Sequence, residues 1–474
     1  MRDARFLAAG VAPQKPSSEH WWIPDWVIRN RQGLRIADMS KRIAIIGTGI
    51  SGLGAAWALH RTNDIVVYES SGRVGGHSNT VDVETTHGRI AVDTGFIVYN
   101  EVTYPHLTTL FRTLGVATEA SDMSFSFSRD RTFEYGASLG GVLGGPRNLL
   151  QPRFRRMLFD INRFRRIGSQ LEPIDGETIE SLLRRNGFSA GFLEDYLLPM
   201  TGAIWSTHHN EIGAFPARSI LQFLTNHGLV EIVGRPSWRT VSGGSRAYVA
   251  KLSEPFADRI RLDSPVRRVV RTGADVVVET AAGADTFDDV ILATHSDQAL
   301  RILGSDASER ERTLLAAIPY EPNVAYLHSD LELMPRRRSA WSSWNSMAWT
   351  DGGSSRVASV TYWMNRLQNL DPRTPLFVSL NPGREPNPAL VHRRIEYAHP
   401  MFDGAAVAAQ REIATIQGSN NTWFAGAYLG YGFHEDGLQS GFNVAAALGS
   451  APSWYYDVEP KSSALPPIAL APAS

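Results

Sequence analysis

Apolar and polar positions alternate in ways that divide this chain into elements. Arg42–Ile46 is a short, almost wholly apolar run and predicts a buried strand. A helical pattern follows from Ser51 to Arg61, and Ile65–Tyr68 reads as a second strand, so the chain opens a parallel strand–helix–strand unit. Helical periodicity dominates from about 145 to 230. Within it Phe154, Met157, Leu158, Ile161 and Phe164 recur at helical spacing, while Arg153, Arg155, Arg156, Arg163, Arg165 and Arg166 occupy other faces. Val266–Val270, Val276–Glu279 and Val290–Ala293 are strand-like. A mixed segment carrying Trp341, Trp344, Trp349 and Trp363 follows. A last strand, Trp423–Ala425, leads through a glycine-rich turn into a helix expected from about Leu438. There is no internal repeat.

The ends differ from the body. Residues 1–40 read as an extension ahead of the first strand. Its short apolar run, Phe6–Ala12, is at the lower limit for a signal segment, and His20–Trp26 could dock as a short arm. Residues 451–474 form a tail, and Pro460–Ser474 is Pro, Ala and Ser without periodicity, a composition that predicts disorder.

Length and charge narrow the classes. At 474 residues, two or three domains or one large discontinuous domain are expected. A net charge of −1 argues against a dedicated nucleic-acid binder. The absence of cysteine excludes disulfides, thiolate metal sites and a thiol nucleophile. No run of 18 apolar residues exists to span a membrane. The only lysines are Lys15, Lys41, Lys251 and Lys461, so none is available between 251 and 461. His208 and His209 are adjacent and diverge on a strand or helix, so no metal site is expected.

Gly47-Thr48-Gly49-Ile50-Ser51-Gly52 is a G-x-G-x-x-G turn with a strand before it and a helix, opening at Ser51, after it. Gly47 permits the tight turn, Gly49 lets the backbone approach a pyrophosphate, and Gly52 allows close helix–strand packing. The helix N-terminus offers amides to phosphates. Glu69, at the end of the second strand, suits ribose hydroxyls and disfavours a 2′-phosphate. Arg73, Gly75 and Gly76 complete an E-x-x-x-R-x-G-G run that would bring a second glycine turn and a guanidinium to the same pyrophosphate.

These residues resemble the flavin-containing amine oxidase superfamily. The likeness extends through Val92–Phe96, with Gly95 and Phe96 at the segment that passes the flavin ring, and through Gly243-Gly244-Ser245 with Tyr248. It continues through Val266, Val290–Thr294, Phe424–Ala427 including Gly426, Asp436-Gly437-Leu438 and Ser440-Gly441. The resemblance implies non-covalently held FAD in an α/β fold of the amine oxidase/p-hydroxybenzoate hydroxylase type. A Rossmann-like FAD domain would be assembled from 41–110, 235–310 and 405–450, with an α+β substrate domain from 111–234 and 311–404. It also implies hydride transfer from a substrate C–H to flavin N5, with Val266 pairing with adenine through its backbone. The helix near Leu438 would stabilise charge on the flavin, with Asp436 as its cap. His434 and Glu435 are the candidate catalytic pair, read either as proton carrier and orienting group or as structural partners beside the cofactor.

Three departures from amine oxidases stand out. The Ile318–Ala325 stretch lacks the lysine these enzymes place near N5, and by the resemblance Leu438 stands in place of a cage aromatic. His77 stands where many relatives carry arginine. The stretches at 75–80 and 430–437 resemble a bacterial subfamily associated with cyclopropane-synthase-like methyltransferases and furan or other methylated fatty acids. That resemblance implies desaturation or oxidation of a fatty-acyl chain, with amine oxidation and FAD-dependent double-bond isomerisation as alternatives. A lipid substrate and a cytoplasmic location are the matching expectations; the arginine-rich helix, 152–168, reads either as an ordinary packed helix with a solvated arginine face or as a peripheral contact with the inner membrane face.

Overall fold

The computed structural model describes residues 40–136, 141, 146–205, 212–226, 236–351 and 355–458. The extension before residue 40, His208 with His209, and the Pro460–Ser474 tail lie outside the described residues.

The apolar runs pair as parallel strands. Arg42–Ile46 lies between Asp64–Tyr68 and Asp289–Leu292, with Ile260–Arg261 and Thr422–Phe424 at the edges, all parallel. These strands are apolar on both sides because both faces of the sheet are covered. One face packs on helices Ile50–Leu59, Pro105–Leu114, Arg246–Ser253 and His434–Ala447. The other packs on an antiparallel meander, 268–287, and on helices Ser296–Leu303, Glu309–Ala316 and Gly404–Glu412. The meander's first strand begins at Arg268, so Val266 sits in the approach to it.

A second sheet has seven strands, in the order 391–400, 320–328, 377–380, 355–363, 344–351, 125–129 and 133–136. Its neighbours are antiparallel except 344–351 with 125–129. The tryptophan-rich segment thus supplies two adjacent inner strands, 344–351 and 355–363. The inner faces of the two sheets' connections enclose the site described below.

The arginine-rich helix is Pro152–Ile167. Its stripe of Phe154, Met157, Ile161 and Phe164 is buried in a core shared with helices 179–185 and 217–226, so that stripe is not available to an acyl layer. Three of the arginines are also held by the protein. Arg153 pairs with Asp195 (2.6 Å) and Glu194 (2.9 Å), Arg156 with Asp160 (3.2 Å), and Arg163 donates to the Asn186 carbonyl (2.9 Å). The outward stripe is Arg155, Phe159, Asn162 and Arg166. Among the described residues no helix is long and apolar enough to cross a membrane.

Candidate active site

The first glycine turn is built by steric necessity. Gly47 has φ +105°, and a side chain there would meet the Ala293 carbonyl at 2.5 Å. A side chain at Gly52 would strike the Gly47 carbonyl. Gly49 is different: it has ordinary helical-entry φ of −64°, and a Cβ there would meet no atom within 4 Å. Its openness faces a cavity of about 450 Å³. Ser51 lines the same wall, and no side chain caps this helix N-terminus. An open glycine beside uncapped helix amides fits a phosphate group.

The second glycine turn abuts the first. Gly75 donates to the Thr48 carbonyl (3.0 Å), and Gly76, at φ +56°, lies against Gly49. The Glu69 carboxylate accepts from Thr48 N (3.1 Å), the Thr48 hydroxyl, and Ser71 N and Oγ (both 2.9 Å). Burial opposes its ionisation, but these donors outweigh it and hold the carboxyl below its ordinary range. Arg73 does not line the cavity. Its guanidinium folds back onto the carbonyls of Gly76 (2.7 Å) and Ser78 (3.5 Å), so it braces the turn. Val266 is also outside the lining. Its segment is tied to the Glu69 carbonyl through Ser264 N (2.8 Å).

Beyond the turns the wall becomes aromatic. Gly95 permits the chain to cross His77, whose carbonyl would strike a Cβ there and accepts from Phe96 N (2.9 Å). Phe96 stacks on His434 at 3.9 Å between ring centroids. His434 Nε2 lies 2.6 Å from the Tyr248 hydroxyl, which lies 2.5 Å from Ser78 Oγ. Burial lowers the His434 pKa to about 3, so the ring is neutral at ordinary pH. The chain Ser78–Tyr248–His434 is a buried hydrogen-bond relay that ends on the cavity wall.

The final helix begins at His434, not near Leu438, and this rearranges the expected roles. His434 and Glu435 part by the helical turn. His434 lines the cavity, whereas Glu435 accepts from His106 N (2.8 Å), His106 Nδ1 (2.8 Å) and Leu107 N (2.9 Å). Glu435 therefore caps the helix Pro105–Leu114, with both carboxylate oxygens engaged there and not on the cavity wall. Asp436 lies within the first turn and reaches back to Tyr431 N (3.1 Å) and Phe433 N (2.9 Å). Burial raises its carboxyl to about 8 against those two bonds, and the Glu435 charge adds to the rise. Leu438 is fully buried against Gly54, away from the cavity. It forms no cage wall, and the ring pair Phe96–His434 stands on the cavity instead. Gly437 and Gly441 let this helix approach Ile50 and Ser51, and Gly426 donates to Ser440 Oγ (2.9 Å).

Three histidines meet at another part of the wall: His77, His295 and His399. The His77 and His399 ring centroids are 5.4 Å apart, and those of His77 and His295 6.2 Å. His77 stacks on Tyr397 (4.9 Å) and His295 on Tyr320 (4.3 Å). Of the three, His77 is marked in the sequence by its place after the Gly75–Gly76 pair. His295 directly follows the Val290–Thr294 motif and was discoverable on that ground. His399 carries no local signal, because only the strand pairing brings it here. Met123, Ile204, Trp344, Tyr362, Leu380 and Phe402 also line the cavity. Among the described lining residues Glu69 is the only carboxylate, and there is no lysine or arginine. Lys41 and Lys251 lie elsewhere, bound to Asp289 (2.8 Å) and to the Gly115 carbonyl (2.7 Å).

Comparison with known proteins places these features. Residues 50–329 match the family described as flavin containing amine oxidoreductase. No curated protein sequence matches the chain. Among solved structures, cyclohexylamine oxidase from Brevibacterium oxydans is 17% identical with a TM-score of 0.62, covering 86% of this chain and 99% of its own. A fatty acid isomerase from P. acnes is 16% identical with a TM-score of 0.59, covering 86% and 98%. Putrescine oxidase bound to putrescine is 15% identical with a TM-score of 0.61, covering 86% and 99%. At these identities the likeness is one of fold.

Proposed function

The chain belongs to the flavin containing amine oxidoreductase family and is an FAD-dependent oxidoreductase, and from that premise we propose that its substrate is a lipid. The reaction we infer is oxidation at an apolar C–H, most simply desaturation of a methylated fatty-acyl chain. Bound FAD supplies the acceptor for the hydride.

One observation carries the substrate class: the inner wall is aliphatic and aromatic, and among the described lining residues it has neither a lysine nor a free carboxylate. An ammonium entering this wall would lose its hydration without a counter-charge, at a cost of several kcal/mol. A hydrocarbon chain gains about 0.8 kcal/mol for each methylene buried. Phe96 and Trp344 offer flat apolar faces to such a chain, and Met123, Ile204 and Leu380 offer pliable ones. His434, neutral and tied to Tyr248, presents a polar edge without charge. The open Gly49 and the helix amides beside it would hold the pyrophosphate, and Glu69 the ribose side. We assign the protein to the cytoplasm, with any contact to a lipid surface falling to the stripe Arg155, Phe159 and Arg166, where Phe159 is 59% exposed.

The deciding experiment is anaerobic. Phospholipid bearing methylated acyl chains, or a panel of primary amines and polyamines, is added to the purified yellow protein and the visible flavin band is followed. Bleaching by lipid alone is the expected result. Bleaching by an amine would restore amine oxidation, and movement of an acyl double bond without bleaching would favour isomerisation.

A further inference from the structure

Neutral histidines that line a cavity without protein partners are unusual, because a buried polar group is normally satisfied. Here two rings share the same arrangement. His77 Nε2 and His399 Nδ1 are enclosed and have no hydrogen-bond partner. An enclosed nitrogen without a partner is tolerated better as a bare acceptor than as an orphaned N–H. The proton of each neutral ring therefore sits on the other nitrogen, Nδ1 of His77 and Nε2 of His399. Those nitrogens have no partner among the described residues and are not enclosed, and both residues line the cavity.

His295 stands beside them, with its Nδ1 4.0 Å from an Asp297 carboxylate oxygen and its backbone N–H donated to Gln298 Oε1 (3.2 Å). Burial holds all three rings below their ordinary pKa, most strongly at His77, and His399 falls to about 4. The titratable and charged groups that face them are His399, His295, His434 and Arg73 toward His77, His295 toward His399, and Asp297 toward His295. Tyr397 and Tyr320 stack on two of the rings, but their hydroxyls point elsewhere: Tyr397 bonds to Thr94 Oγ (2.9 Å) and Asn79 (3.1 Å), and Tyr320 to Ser296 N (3.2 Å). Two N–H donors, on His77 and His399, thus stand on the cavity wall with no acceptor among the described residues.

We propose that His77 and His399 form a two-donor binding site for an oxyanion, a carboxylate or phosphate oxygen taken into the cavity. Two sources carry that chemistry: the free carboxylate of an acyl substrate, which deepens and rests on the lipid reading above, and the phosphates of FAD. A hydrogen bond to a charged group contributes enough that losing one donor weakens binding about ten- to a hundredfold.

The test uses the FAD-loaded protein. His77→Phe and His399→Phe keep a flat ring and remove the donor. His77→Asn and His399→Gln return an N–H at the position of the donating nitrogen. Oleate and methyl oleate are titrated against the flavin spectrum, and FAD release is timed after dilution. If the substrate is the source, the Phe variants bind oleate at least about tenfold more weakly, methyl oleate is unaffected, and the amide variants recover. If the cofactor is the source, the Phe variants release FAD at least about tenfold faster and the amide variants recover. Unchanged oleate binding and unchanged FAD release, or equal losses in Phe and amide variants, overturn the site. A wild-type protein indifferent to every acyl compound sinks the lipid reading, while the FAD arm still tests the histidines. A Phe variant that fails to fold leaves a measurement on the wild type. Nitrogen-15 shifts of labelled histidine must report Nδ1–H at His77 and Nε2–H at His399, and the opposite tautomers overturn the proposal.

Discussion

Glu435 offers the sharpest test of the site's assignment, because its position in sequence and its position in space make opposite predictions. Beside His434 it looks like half of a catalytic pair. In space its two oxygens accept three bonds, from His106 N, His106 Nδ1 and Leu107 N, at 2.8–2.9 Å and fully buried. Glu435→Ala strips the acceptors from two helix-terminal amides and one imidazole. Each buried donor left unpaired costs about 1–3 kcal/mol, and partial relaxation brings the sum to about 3–5 kcal/mol. That is a large part of a typical folding free energy of about 5–15 kcal/mol. Glu435→Gln keeps one acceptor but turns an amide donor toward another, for about 2–3 kcal/mol. Urea unfolding of the FAD-loaded protein, monitored by far-ultraviolet dichroism and flavin fluorescence, measures both. Stopped-flow flavin reduction on the folded fraction measures the chemistry. The structure requires a loss of stability with a reduction rate within about threefold of wild type, well under the roughly hundredfold typical of a lost general acid or base. A Glu435→Gln protein of unchanged stability that reduces a hundredfold more slowly would refute the reasoning and return Glu435 to the catalytic machinery.

Other expectations follow from the same geometry. Gly49→Ala meets no protein atom, so it should unfold like wild type yet bind FAD at least about tenfold more weakly, whereas Gly52→Ala should destabilise the fold itself; calorimetry and FAD titration separate the two. Arg153→Gln leaves the buried Asp195 carboxylate with Arg129 as its remaining cation (2.7 Å) and should cost about 2–4 kcal/mol in urea unfolding. His399 and His434 have folded pKa values of about 4 and about 3, below the unfolded 6.5. The unfolded chain therefore binds more protons below pH 6.5, and stability present above that pH is lost as pH falls toward 4. At pH 5 each contributes a loss of about 2 kcal/mol, which unfolding at pH 7.5 and pH 5 would detect and His399→Gln would lessen. Phe159→Asp should lower pelleting with anionic vesicles if the outward stripe meets lipid, and equal pelleting would remove that role.

The amino-acid sequence by itself determined the features that depend on neighbours within a few residues. A strand, a G-x-G-x-x-G turn and a helix are legible because strand and helix periods and the left-handed φ of Gly47 are local matters. Glu69 and the second glycine turn follow at short range, and family resemblance extended the same local reading to the later motifs. The arginine-rich helix was legible as a helix, but not in which way it faced: an amphipathic pattern says that one side is covered, not whether by protein or by lipid. Tertiary packing alone decided the roles within the final helix. Once that helix starts at His434, a turn of about 100° per residue sends His434 to the cavity, Glu435 to a helix end and Leu438 into the core. It also decided the histidine cluster, whose members stand at 77, 295 and 399 and carry no shared spacing. Chemistry that depends on meeting across hundreds of residues leaves no local pattern, and it appears only when the sheets bring the strands together.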